Sequence, residues 1–419
     1  MVRRDFPSRF WAGRAGLADI KPRRIIIVMT AQSWMGTYLI GTGIRHKSIE
    51  AADAETEGDP ADRMTIFWSG DRAVGHVFNF LDEKRCKGPG VDQNLIARVV
   101  DEHGAELKPQ HSASVIICTR DRPDELRRCL SSLPRQSYVP REVIVVDNAS
   151  RDGQTREVAE AAGVIYVRED RPGLDIARNS GAVRATSEIV AYTDDDVLLH
   201  PRWLERMVAA FDAPQIGAVT GLVLPAELAT MAQLHFETFW TFGQGYERRD
   251  HDAVGFASAN GAVYPAWKVG AGASMAFRRE VFDKVGRFDE RLDVGQAGCS
   301  GDSEYWYRLL ANGYVCRYEP ASIAFHFHRR TWEGLSSQIY HYMRGHAAAL
   351  MVQYERTGIA ANRKRALYGM PRWYAARLLS RVRGKKTPAD RFLKEEIMGY
   401  FSGLLFYYRA ARPENRLPP

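Results

Sequence analysis

Residues 114–147 read SVIICTRDRPDELRRCLSSLPRQSYVPREVIVVD, and their pattern decides the fold class. Two β-rich apolar runs, 114–119 and 142–147, end in polar residues and flank a segment of helical periodicity. Within 123–133 a proline sits near the first helical turn, and Leu126, Cys129, Leu130 and Leu133 fall at i, i+3, i+4 and i+7 on one face. That is a strand, a crossover helix and a second strand. Similar runs follow at 164–168 (VIYVR) and 188–193 (EIVAYT). The alternation predicts an α/β domain with a mostly parallel sheet flanked by helices. Ligands of such open sheets bind beyond the carboxyl ends of the strands. The residues to watch are therefore Thr119-Arg120-Asp121-Arg122, Asp147-Asn148 and Asp194-Asp195-Asp196.

The whole chain has 419 residues, 45% apolar and 26% charged, which excludes a disordered or disulfide-stapled miniature fold. Its net charge of +7 suits anionic ligands or an acidic membrane surface. No nucleic-acid motif appears and the charge forms no single stripe, so nucleic acid is rejected as a partner. Five cysteines without a C-x-x-C pair suggest neither a disulfide framework nor a zinc site, and fit a reducing compartment. Residues 1–24 lack the apolar core of a signal peptide, and 25–43 is too interrupted by polar residues and glycine for a membrane span. A cytoplasmic location is expected.

Three regions are expected. Residues 1–110 form an N-terminal extension or small α/β domain, with strand-like runs at 25–29 and 64–68 and an acidic patch at 50–62. Residues 111–333 form the main domain. Residues 334–419 form a helical tail that mixes Arg363, Lys364, Arg365, Arg372, Arg377, Arg381, Arg383, Lys385 and Lys386 with Trp373 and Tyr374. Two readings of the tail stay open: helices lying on an anionic membrane, or a solvated basic face packed on the main domain.

The strongest local signal is AYTDDDV (191–197), three adjacent carboxylates directly after a buried strand. Their repulsion needs compensation, and a hard Mg²⁺ or Mn²⁺ ion held by carboxylates and substrate phosphates provides it. An acidic turn leading into Pro201 is the plainer alternative. In FHFHRR (325–330) two histidines stand at i and i+2, on the same face of an alternating strand, either as ligands or as packed core. Trp240, Phe242, Tyr246, Trp267, Trp306 and Trp332 are either sugar or lipid platforms or core. VGAGASM (269–275) lacks the spacing of a P-loop, so ATP hydrolysis is not indicated.

Seven motifs in order carry a resemblance: VIICTRDRPDELRRCLSSL (115–133), VIVVDNAS (143–150), RPGLDIARNSGAVRA (171–185), AYTDDDV, GAGASMAFRR (270–279), GDSEYWYRLLANGY (301–314) and FHFHRR. From about 114 to 330 the chain resembles the family 2 glycosyltransferases, inverting enzymes with a Rossmann-like GT-A fold. The resemblance implies that Thr119, Arg120, Arg122 and Asp147 surround the base and ribose of a nucleotide-sugar. It implies that Arg178 and Asn179 frame the pyrophosphate, and that Asp194 and Asp195 lie by the ribose and diphosphate. Asp196 and His326 would be the metal ligands for Mn²⁺ or Mg²⁺. Gly272 lies in the loop under donor sugar and acceptor.

The family's general base is the Asp of a Glu-Asp pair that opens a helix, with an Arg six residues later. Asp302 and Arg308 match, but Gly301 stands where the Glu is expected. Glu304 is an i,i+4 partner for Arg308, and Asp302 is also a competent helix N-cap. The implied function is transfer of a sugar from a nucleoside-diphosphate-sugar to a glycan or lipid-linked hydroxyl acceptor, in cell-surface polysaccharide or glycolipid synthesis. Peripheral contact with an anionic membrane at the inner face of the cell membrane goes with it. A degenerate nucleotide-sugar binding protein is the alternative that Gly301 supports. A sugar-nucleotide pyrophosphorylase is a weaker one, since CTRDRPDE stands where its Gly-rich phosphate loop would be.

Overall fold

The computed structural model describes residues 43–49, 63–78, 90–91, 95, 108–259, 263–293, 296–385 and 387–410. The strand expected at 25–29 and the acidic patch at 50–62 lie outside them. The run at 64–68 becomes β2 (Met64–Ser69), which pairs with β1 (Ile44–Ser48) and β3 (Arg72–Phe78), while β3 also pairs with β4 (Gly90–Val91). Met64, Trp68 and Val74 of this small sheet share a hydrophobic cluster with Leu222, Tyr318 and Phe325 of the main sheet. Burying a side chain of that size is worth about 1.5–3 kcal/mol. Asp71 fastens the contact through Arg206, at 2.5 Å, in a largely buried pair.

The main sheet has nine strands. They are β5 (Ala113–Thr119), β6 (Glu142–Asn148), β7 (Ile165–Glu169), β8 (Ile189–Asp194), β9 (Val197–Leu199), β10 (Ile216–Pro225), β11 (Arg249–His251), β12 (Ser274–Arg278) and β13 (Val315–His326). Their order is β11-β13-β10-β12-β8-β5-β6-β7, with β9 paired to β13. The block β8-β5-β6-β7 is parallel, as the crossover pattern requires. Beyond it β12 enters antiparallel to both β8 and β10, while β10 and β13 run parallel. The result is a mixed α/β sheet, a parallel block of four strands extended by an antiparallel insertion and two further parallel strands, in line with the expected Rossmann-like class.

Helices cover the sheet. In α1 (Pro123–Leu130) the stripe Leu126, Cys129 and Leu130 is buried, and Leu133 follows in a short 3-10 turn rather than in the helix. The other principal helices are α2 (Gln154–Ala161), α3 (Leu174–Arg184), α4 (Trp203–Ala209), α5 (Met231–Trp240) and α6 (Gly301–Ala311). The C-terminal region contributes α7 (Trp332–Thr357), α8 (Met370–Val382) and α9 (Leu393–Arg409). This region is packed on the domain. Tyr340 of α7 donates to Ser402 of α9 at 2.9 Å, and Arg377 of α8 pairs with Asp390 and Glu396. The basic tail is thus partly spent on internal pairs.

Candidate active site

The carboxyl ends of β5, β6 and β8 converge, and short polar loops follow each. Two of these loops hold non-glycine residues in the left-handed region, Asp121 at φ 55° and Ala149 at φ 56°. Such backbone is costly and is fixed here by cross-links between the loops: Ser150 Oγ accepts from the Asp121 amide at 2.9 Å, and Asp121 Oδ1 accepts from the Arg151 amide at 2.8 Å. Asp147, buried at the end of β6, accepts from Tyr166 Oη at 2.7 Å and Arg168 Nη1 at 2.8 Å. Burial opposes its charge, but these bonds and Ser150 hold its pKa below the ordinary value.

Thr119 Oγ1 donates to Asp195 Oδ2 at 2.7 Å. Arg122 forks across the triple-aspartate turn, from Nη1 to Asp195 Oδ1 at 2.6 Å and from Nη2 to Asp196 Oδ2 at 2.8 Å. The planar guanidinium suits this bridge in a way that a lysine would not. Arg120 points outward, with its side chain about half exposed.

Asp194, Asp196 and His326 gather ligand atoms within 4.8 Å of one another. His326 Nε2 lies 3.2 Å from Asp196 Oδ1. Behind it, His326 Nδ1 meets His328 Nδ1 at 3.0 Å, and His328 Nε2 meets Glu237 Oε2 at 2.9 Å. This chain assigns the ring protons. With the Glu237 carboxylate accepting from His328 Nε2–H, His328 Nδ1 is left to accept from His326 Nδ1–H, so His326 Nε2 faces the aspartates. The two histidines therefore do not both reach the acids. β13 ends at His326, and Glu237 of α5 draws His328 into a supporting position. Burial opposes charge on His326, yet Asp196 outweighs it and raises the pKa. Asp196 in turn is held well below the carboxylate range, against burial, by His326 and Arg122. Two carboxylates and an outward imidazole nitrogen form a donor set that fits Mn²⁺ or Mg²⁺.

A cavity of about 880 Å³ opens beside this cluster. One wall carries Asp175, Arg178, Asp194, Gly272, Gly301 and Asp302; another is aromatic, with Trp240, Phe242, Trp267, Tyr342 and Trp373. Of the other candidate aromatics, Trp306 is fully buried and Tyr246 largely so. Asp302 is the second residue of α6 and not its cap, because the N-cap position is Ser300. Its Oδ2 accepts from the Gly272 amide at 3.0 Å and its Oδ1 from the Ser303 amide at 2.6 Å. A Cβ on residue 272 would lie 2.7 Å from Arg178 Nη2 and 2.8 Å from Asp302 Oδ2, so a side chain there would push one of these groups aside. Glu304 is fully buried and bonds Arg308 Nε at 2.7 Å, while Arg308 also ties down the Val285 and Arg287 carbonyls.

Helix α3 is clamped at its start. The Asp175 and Ile176 amides donate to Asp293 at 2.8 and 3.1 Å, and the Gly173 amide donates to Asn148. The exposed helix-end donors thereby find a carboxylate from a distant loop. Asp175 itself is buried beside Arg178, at 3.0 Å. Burial, with Asp293 and Asp302 nearby and against Arg178, pushes its pKa up to about 8.

The sequence model of the family described as "Glycosyl transferase family 2" matches residues 114–286. "Glycosyltransferase AglE" of Haloferax volcanii is 33% identical, over 54% of this chain and 70% of that protein. The chain belongs to glycosyl transferase family 2. "Glucosyl-dolichyl phosphate glucuronosyltransferase" of Haloferax volcanii is 28% identical to this family 2 chain, which spans 58% of its length over 44% of our sequence. "O-antigen biosynthesis protein RfbC" of Myxococcus xanthus is 28% identical over 48% of this chain and only 16% of its own length. A solved structure, "Mannosyltransferase PcManGT from Pyrobaculum calidifontis in complex with GDP-Man and Mn2+", overlaps with a TM-score of 0.46 at 20% identity, over 73% of this chain and 90% of that one.

Of the residues expected from the sequence, the family 2 fold brings Arg178, Asp194, Gly272 and Asp302 to one cavity wall. Thr119, Arg122, Asp195, Asp196 and His326 are linked to it through the aspartate turn. Asn179 is absent from that wall: its carboxamide clamps the backbone of Phe288, donating to O and accepting from N at 3.0 Å each. Sequence reasoning missed Asp175, Asp293 and Glu237. Asp175 lies inside a quoted motif, but as a first-turn acid of a helix it carries no mark of its spatial neighbour Gly301.

Proposed function

We propose that this family 2 chain is a metal-dependent inverting glycosyltransferase, moving a sugar from a nucleoside-diphosphate-sugar to a glycan or lipid-linked hydroxyl in cell-surface polysaccharide or glycolipid synthesis. The shared cavity carries the reading, since Asp302, Arg178 and Asp194 border one space next to a cation-fitting trio. Residues 111–333 would be the transfer unit. Thr119, Arg120, Arg122 and Asp147 would receive the nucleoside, with Arg178, Asp194 and Asp195 near the diphosphate. Mn²⁺ or Mg²⁺, when held by Asp196, His326 and Asp194, would neutralise charge on the departing nucleoside diphosphate. Asp302 would take the acceptor hydroxyl proton while the new C1–O bond forms and the C1–O bond to the diphosphate breaks. The Gly272 and Ser303 amides orient that carboxylate.

The test is nucleotide release from UDP-, GDP- and dTDP-sugars with Mn²⁺, Mg²⁺ or EDTA, with water standing in for the acceptor. Cation-dependent release from one donor class is expected. No binding and no turnover with any of them would falsify the reading.

Peripheral membrane contact has its own support. Helix α9 exposes Met398, Phe401, Leu405 and Tyr408 along one face, and α8 exposes Leu378, Leu379 and Val382 near Arg381, Arg383 and Lys385. No helix among the described residues is long and apolar enough to cross a membrane. An apolar stripe edged by positive charge suits the surface of an anionic bilayer. The protein is expected to sediment with phosphatidylserine vesicles at low salt. Phe401→Asp with Leu405→Asp should cut the bound fraction several-fold, and binding unchanged by the pair would refute the contact.

A further inference from the structure

The place vacated by the small residue at 301 is already filled. A Cβ built on Gly301 would lie 1.8 Å from Asp175 Oδ2 and 2.4 Å from its Cγ, an impossible approach. Asp175 comes from α3, not from the helix that carries Asp302. One of its oxygens, Oδ1, accepts from Arg178 at 3.0 Å. The other accepts no hydrogen bond from any described residue, although Asp175 is only 2% exposed and borders the cavity. That oxygen opens on the cavity and is not sealed in the core, so water or a ligand hydroxyl can bond to it there.

We propose that Asp175 is the second carboxyl group of the acceptor site, its free oxygen hydrogen-bonded to the attacking hydroxyl, or to water in its place, while Asp302 takes the proton. The inference rests on the glycosyltransferase reading. Asp175 and Gly301 then form a reciprocal pair: the carboxylate reaches the cavity from one helix because the other helix offers no side chain there. Asp175 is a positioning residue, since it orients the nucleophile without receiving its proton. Arg178 lies between Asp175 and Asp194 and keeps the carboxylate turned inward.

The test uses the full chain, donor hydrolysis and thermal denaturation. Asp175→Asn preserves shape but takes a buried partner from Arg178, so it should lower kcat for donor hydrolysis at least about tenfold, by more than it raises donor KM. A purely structural role would move Tm or KM without the larger loss of kcat. Asp175→Gly with Gly301→Glu, which returns a carboxylate from the other helix, should recover most of the rate lost in Asp175→Gly alone. Wild-type kcat in Asp175→Asn, or a folded double variant no faster than Asp175→Gly, overturns the proposal. If the wild type itself hydrolyses no donor, the glycosyltransferase reading has failed, and the pairing is judged from Tm. Gly301→Ala should then destabilise the wild type but not the Asp175→Gly background. Equal losses in both overturn the pair.

Discussion

Replacing Asp302 by Asn should lower turnover by about a hundred- to ten-thousand-fold, the range that a positioned general base supplies. Asn keeps the size of the side chain, and its single carboxamide oxygen can still accept from one of the two amides, Gly272 or Ser303, so the start of α6 should survive. What it loses is the capacity to take a proton from the attacking hydroxyl. Donor affinity is expected to change little, because the loops proposed to receive the nucleoside, around Thr119, Arg122 and Asp147, are separate from Asp302. A kcat loss without a matching rise in KM is therefore the signature, measured by nucleotide release. A variant as fast as wild type would remove Asp302 from the chemistry and leave Asp175 and Asp194 as the remaining acids of that wall.

The second large effect concerns Asp196. Its carboxylate is shared between Arg122 and His326, at 2.8 and 3.2 Å, and it is the most strongly ionised member of the aspartate turn. Asp196→Ala should abolish cation-dependent turnover by at least about a hundredfold, because charge on the leaving diphosphate would go unmet. Wild-type protein stripped with EDTA should lose activity to a similar extent and regain it on adding Mn²⁺. The variant should not regain it. His328→Ala tests the support behind this ligand pair: it breaks the hydrogen-bond chain to Glu237 and should weaken Mn²⁺ affinity by roughly ten- to a hundredfold with a smaller effect at saturating metal. Equal activity of Asp196→Ala with and without EDTA, at the wild-type rate, would exclude the trio as a cation site.

Much of this site is legible along the chain because its groups sit where strands end. Thr119, Asp147 and Asp194 each close an apolar run of period two or of continuous burial, and a parallel sheet delivers all such ends to one edge. Asp302 is legible as an acid opening a helix, although the N-cap reading fails because Ser300 holds that position. The pairing of His326 with Asp196 is harder to see, since β13 reaches it only after a long excursion through α5 and β12. The relation of Asp175 to Gly301 is invisible to periodicity. It depends on how two helices from different parts of the chain face each other across a cavity, and a glycine at the head of a helix announces only the absence of a side chain. The role of the N-terminal strands is equally silent in sequence, because Trp68 and Met64 look like any buried run until β10 and β13 are seen to receive them.

The late strand β13 has a consequence for how the molecule comes into being. Its register, Ile216 with Val315 through Pro225 with His326, joins segments far apart in the chain. The block β5 to β8, by contrast, closes through local crossovers. Pairings of high sequence separation are the slow part of folding. Asp302 lies late in the stretch between these two strands and His326 at its end, so on the proposed reading a ribosome that has delivered the loops after β5, β6 and β8 has not yet delivered the base or the last ligand. If Asp302 and His326 do the proposed chemistry, a chain lacking β13 should release no nucleotide from any donor.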